Sequence, residues 1–182
     1  MIWILYVVAG LVGLVVLMAV VGYTLRPDHL AARTADVPGA PAAVYALIRD
    51  LERLPTWRKD LKRIELLPPV DGKRSFREHG RQGAITFVVD EDQPPAGDRP
   101  GRMVTRIADD KLPFGGRWII EVAPAGGGSR VTVTEDGFVK NLVFRFLSRT
   151  VFSLTSTLEH WLRALGRHLG AEVTPRPAEP MR

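Results

Sequence analysis

Two carboxylates stand out because of where strand alternation puts them. Glu78 shares a face with Phe76 and Arg74, and Glu135 shares one with Val131 and Val133. A carboxylate drawn among apolar side chains either pairs with a cation or holds its proton more tightly than in water. Such a group anchors a ligand hydroxyl or carbonyl, or moves a proton as general acid or base. A salt bridge at a strand rim explains the same pattern without any ligand, and Arg74 is the cation at hand for Glu78. From the sequence alone both readings stay open.

Other chemistries find no residues to carry them. The chain has no cysteine, which removes disulfides, thiolate metal sites and cysteine nucleophiles together. His29, His79, His160 and His168 are dispersed, and none has metal-ligand spacing with another histidine or a carboxylate, so no metal site is expected. Ser148, Ser153, Ser156 and Thr157 lack the Gly-x-Ser-x-Gly elbow of a hydrolase. Gly126-Gly127-Gly128 lies between two strands instead of opening a helix, so it is neither a phosphate loop nor a dinucleotide fingerprint. No cofactor is implied. The formal net charge of +5 comes from scattered lysines and arginines with no recognition-helix or stacking-aromatic pattern, which argues against nucleic acid. A solvated surface accounts for that excess, and attraction to anionic headgroups is the functional alternative.

Large apolar side chains repeat on strand faces: Phe76 on one, Ile85, Phe87 and Val89 on another, Trp118, Ile120 and Val122 on a third. Trp57 and Trp161 stand outside these runs. Each strand-face residue is equally suited to solid core or to the wall of an apolar pocket, whereas for the two tryptophans core packing is the default and a gate over a ligand entrance the second reading.

The elements that must position these residues begin with an apolar N-terminus. Ile2 to Leu25 contains no charged residue. As a helix it is about 36 Å long, against a hydrocarbon core of about 30 Å. Trp3 and Tyr6 near one end and Tyr23 near the other suit the two interfaces. A cleaved signal peptide would carry a basic n-region and a shorter apolar core, so a retained single-pass anchor over residues 1–25 is expected. Arg26 and Arg33 are the basic flank, which puts the following domain on the cytoplasmic side. Ala9 and Gly13 form a small-xxx-small pair that suits a partner helix, although small residues are common in any span.

Residues 26–170 read as one α+β domain, and the proline-containing tail 171–182 as disordered. His29 to Val37 suits a strand. Pro41 suits the first helical position, and Val44, Leu47, Ile48 and Leu51 follow at helical spacing until Leu54-Pro55. Six strands with short turns then cover about Lys62 to Asp136, which requires an antiparallel meander. From Asn141 to Leu169 one apolar stripe runs through Phe144, Leu147, Val151, Leu154, Leu158, Leu162 and Leu165, predicting a single long helix closed by Gly170. A straight helix cannot touch a twisted sheet everywhere, so side chains, short helices or a ligand must fill the gap.

Three stretches carry a family resemblance: Val37-Pro38-Gly39-Ala40-Pro41-Ala42-Ala43-Val44-Tyr45, Leu54-Pro55-Thr56-Trp57, and Val131-Thr132-Val133-Thr134-Glu135. With the element order, they make the region from about Leu30 to Leu169 resemble the START-like superfamily, the polyketide cyclase/dehydrase and lipid-transport group. The resemblance implies a helix-grip fold: a curved antiparallel sheet of six to seven strands, two short helices and a long C-terminal helix around a deep cavity. It implies an apolar ligand such as a lipid, an isoprenoid quinone or a polyketide-like molecule. Within that cavity the expected ligand-binding residues are Trp57, Phe76, Phe87, Trp118, Val133, Glu135, Leu154, Leu158 and Trp161. No catalytic residue is assigned, and Glu135 or Glu78 would be the acid/base if the protein were a cyclase or dehydratase. A module without a ligand, docking a membrane partner, is the third reading.

Overall fold

In a computed structural model of the chain, residues 2–81, 83–150 and 155–181 are described. The chain begins with α1 (Ile2–Thr24), followed by β1 (Asp28–Val37), α2 (Pro41–Arg49), one 3-10 turn (Leu51–Arg53) and α3 (Leu54–Trp57). The meander is β2 (Leu61–Val70), β3 (Lys73–Gly80), β4 (Gly83–Gln93), β5 (Gly101–Ile107), β6 (Phe114–Ala125) and β7 (Gly128–Val139). Then come α4 (Leu142–Thr150), α5 (Ser156–His168) and the two-residue β8 (Arg176–Pro177). The sheet order is β2-β3-β4-β5-β6-β7-β1-β8, with antiparallel pairing throughout.

The expected meander is present, with strands that run further than alternation alone indicates. Its curvature has visible causes. Asp90 is an extra residue in β4, between the Val89–Thr105 and Glu91–Val104 pairs, and a bulge of this kind bends and twists a strand. Two strands further on, Gly116 (φ +143°) pairs with Gly137, and a Cβ on Gly116 would strike the Asp136 carbonyl.

The core fills one half of the concave face. Val44, Tyr45 and Ile48 of α2 and Leu158, Leu162 and Leu165 of α5 pack on Met103, Ile120, Val122, Val131 and Val133. Tyr45 is fully buried, and its hydroxyl lies 2.8 Å from Asp92 Oδ1 and 2.9 Å from the Arg102 carbonyl. Arg33 on β1 fastens the start of α5 by donating to Glu159 and Thr155.

Two expectations change. The single long helix is instead two described helices with different partners. α4 packs chiefly on α1 and touches β7, whereas α5 packs on β1, β7 and α3. Thr155 sits outside the helix as the N-cap of α5, and Leu154 lies outside the described residues. The tail is also not loose. Gly170 (φ +79°) reverses the chain, and Val173 packs on Gly166. β8 then pairs with Arg33 and Thr34, and the Met181 amide donates to Thr134 Oγ1 on the outer face. An outer sheet face that needs cover, and an unpaired edge beside it, supply partners that composition does not reveal.

α1 stands clear of the domain along most of its length. Its side chains are exposed except at Met18, Ala19, Val21 and Gly22, where α4 lies against it. It is long and apolar enough to cross a membrane.

A cavity at the α1 end of the sheet

The half of the concave face that the core leaves open holds a cavity of about 570 Å³. Register places it. Its walls include His29, Glu78, Ile85, Ile107, Gly116 and Gly137, which all lie at the same end of their strands. That end is where β1 leaves α1. The apolar lining comes from Phe76 and Phe87, stacked at 5.4 Å, with Met103, Trp118 and Ile120 beside them. Trp161 closes it from α5, edge-on to Trp118 at 6.5 Å. Phe114 and Phe144 stack at 5.8 Å between β6 and α4.

Two polar pairs interrupt this wall. Arg58, just after α3, donates to Glu78 at 2.7 Å and to Asp60 at 2.7 Å. Burial pushes the Glu78 carboxyl above its ordinary range despite the guanidinium beside it. Burial opposes the charge on Arg58, but Glu78 and Asp60 outweigh it and hold the side chain cationic. In the second pair, His29 Nε2 lies 3.3 Å from Glu135 Oε1. Gly137 makes room for this arrangement, since a Cβ there would run into the His29 ring. His29 Nδ1 is buried and has no hydrogen-bond partner among the described residues. A buried ring nitrogen facing no protein group is costly unless something else meets it.

Of the expected site residues, Phe76, Phe87, Trp118, Glu135, Trp161 and Glu78 line the cavity. Trp57, Val133 and Leu158 are buried in the adjoining core instead, with Trp57 edge-on behind Trp161 at 5.3 Å. Arg74 is not the partner of Glu78, because it reaches across to Asp92 at 2.6 Å. The residues that sequence reasoning passed over are Arg58 and His29. Arg58 directly follows the Leu54-Pro55-Thr56-Trp57 turn, and His29 opens the first strand. Neither position announces its cross-chain partner.

The arrangement can do two things chemically. It can hold an apolar body against aromatic walls while a few polar atoms fix one end. It can also present two carboxylates in different environments, one beside an arginine and one beside a histidine.

Comparison with known proteins agrees with this geometry. The family described as polyketide cyclase / dehydrase and lipid transport matches residues 29–170. A START superfamily protein from Mycobacterium smegmatis is similar in structure, with 20% identity, a TM-score of 0.56, and coverage of 78% of this chain and 97% of that one. A protein from Thermus thermophilus gives 20% identity, a TM-score of 0.58, and coverage of 79% and 97%. The di-domain ARO/CYC StfQ from the steffimycin biosynthetic pathway gives 15% identity and a TM-score of 0.57, with 79% of this chain on 50% of that one. At these identities the likeness is one of fold. A comparison with curated proteins finds no match.

Proposed function

We propose, on the premise that this chain belongs to the polyketide cyclase/dehydrase and lipid transport family, that it is a membrane-anchored binding protein for an apolar ligand. The observation that carries this reading is the cavity: about 570 Å³, walled mainly by aromatic and aliphatic side chains, with the charged groups limited to the two pairs and Arg117, beside a few hydroxyls. A volume of that order suits a lipid-sized or drug-sized apolar molecule. The anchor supports the same reading. A 23-residue apolar helix, exposed on nearly all sides, holds the domain where lipids, isoprenoid quinones or polyketide-like molecules are concentrated. The orientation proposed from Arg26 and Arg33 places the domain on the cytoplasmic side.

A second reading rests on its own observation. Glu78 has a raised pKa inside the cavity and Glu135 faces a histidine, which suits the proton transfers of a cyclase or dehydratase. An interaction module with a collapsed pocket draws no support, because the space is open.

Native mass spectrometry of the full chain, extracted in mild detergent, tests the binding reading. An apolar species of defined mass should travel with the protein and be identifiable by lipid analysis. Protein that emerges empty, and takes up neither phospholipid, fatty acid nor isoprenoid quinone when these are added, refutes it.

A further inference from the structure

The cavity and the apolar helix meet at one place, and α4 is the element between them. Its faces are assigned by contact. Phe144 and Ser148, four residues apart, line the cavity. Leu142 and Arg145 face α1, and Arg149 faces the connection that follows it. The backbone of Leu142 lies directly on Gly22, leaving no room for a Cβ there. Arg145 donates to the carbonyls of Gly22 and Leu25 at 3.4 and 3.3 Å, and Arg149 to those of Arg26 and Asp28 at 3.2 and 2.6 Å. Carbonyls at the end of a helix have no partner within it, and a cation at that end is favourable. Arg145 therefore ties the end of α1 to α4, and Arg149 ties α4 to the connection between α1 and β1. Val143 and Leu147, both half-buried, lie on the remaining side.

Depth follows from length. A 23-residue helix is about 34 Å long, slightly more than the roughly 30 Å hydrocarbon core. α4 lies against Met18, Ala19, Val21 and Gly22, within the last two turns of that helix. If α1 spans the bilayer, α4 must sit at the headgroup boundary. The neighbouring rim suits that level. Phe138 is 36% exposed with the Lys140 ammonium 5.7 Å from its ring, and the Lys140 amide donates to Pro113 in the approach to β6. Aromatic rings and lysines are the side chains that settle at membrane interfaces.

We propose that α4 rests in the interfacial layer of the bilayer, and that the cavity exchanges its ligand laterally with the membrane past this helix instead of through water. The exchange route rests on the ligand-binding reading above; the placement of α4 does not.

The absence of native cysteine makes the test direct. Single cysteines at Val143, at Val20 in α1 and at Ala43 on α2 would carry an environment-sensitive fluorophore in the full chain. The chains would be reconstituted in phosphatidylcholine/phosphatidylglycerol vesicles containing doxyl-labelled lipid. Quenching at Val143 should approach that at Val20 and clearly exceed that at Ala43. Quenching at Val143 no greater than at Ala43 overturns the placement, and an unquenched Val20 label overturns the anchor itself. For exchange, a dansyl-undecanoate probe would be delivered either from preloaded vesicles or from water. Energy transfer from the domain tryptophans reports its arrival, in a Trp3→Phe background. Val143→Asp should slow delivery from vesicles by roughly tenfold, as a charge set in an apolar path does, while delivery from water is unchanged. Equal rates by both routes, or slowing of both alike, refute lateral exchange. A probe that binds by neither route removes the ligand reading and the exchange with it, while the quenching result still decides where α4 lies.

Discussion

Removing Arg58 isolates the energetics of the cavity wall. Its side chain is 13% exposed and that of its partner Glu78 is 15% exposed, so the 2.7 Å contact is screened little by water. Arg58→Ala leaves a carboxylate buried beside Phe76 with no cation. Breaking a buried pair in this way costs about 3–5 kcal/mol. At this chain length each kcal/mol moves the melting temperature by about 2–4 °C, which gives a fall of roughly 6–20 °C. The cost must depend on pH. Without the guanidinium, the already raised pKa of Glu78 rises further, so the folded state takes up a proton more readily than the unfolded one. The penalty is then complete above the raised folded value, shrinks as pH falls, and vanishes below the unfolded value of a glutamate. Thermal unfolding of the full chain in detergent at pH 8 and pH 5 would show a larger loss at pH 8. Arg58→Met with Glu78→Leu removes both charges and should restore stability to within about 1 kcal/mol or exceed that of the native chain. A loss under about 1 kcal/mol for Arg58→Ala at pH 8, or one equal at both pH values, would refute the assignment of a buried, desolvated pair.

Three further outcomes follow from the same geometry. Tyr45→Phe removes the buried hydroxyl facing Asp92 and the Arg102 carbonyl, and should cost about 1.5–3 kcal/mol in denaturant titration. Leu158→Ala, at a position with no exposure and outside the cavity wall, should cost about 2–5 kcal/mol and leave the mass of any co-purifying ligand unchanged. In acid, Asp36 and Glu159 set a common sign. The hydrogen bonds from Arg130 to Asp36 and from Arg33 to Glu159 hold both carboxyls below their ordinary values. Their contribution is present above the unfolded carboxylate range and is lost as pH falls through the lower folded values. Unfolding monitored from pH 7 downward should show stability declining below about pH 4.

The fold was readable where one local signal repeats. Alternation over Ile85, Phe87 and Val89, and the turns at Asp71-Gly72 and Gly126 to Gly128, were enough to place the meander. The helical stripe from Phe144 to Leu165 was also visible, but not its division between two partners. Leu142 and Arg145 answer to α1, more than a hundred residues earlier, and periodicity has no term for that. Phe76, Phe87 and Trp118 follow from the inward face of a curved sheet. The same argument put Val133 in the wall, yet α5 covers that strand and Val133 is core; facing inward does not say whether a helix lies on top. Arg58 and His29 were missed because their partners, Glu78 and Glu135, stand 20 and 106 residues away and only the folded sheet joins them.

The two margins of the sheet bear on how copies of this protein behave as neighbours. β2 carries Pro68 and Pro69, and the chain opposite β1 at the other margin includes Pro177. Proline offers no amide hydrogen, so neither margin presents an unbroken row of donors to a strand from elsewhere. Where α1 serves as the proposed anchor, confinement to a surface raises the frequency with which such margins collide. Blunted on both sides, the domains can crowd in two dimensions without zipping into a continuous ribbon.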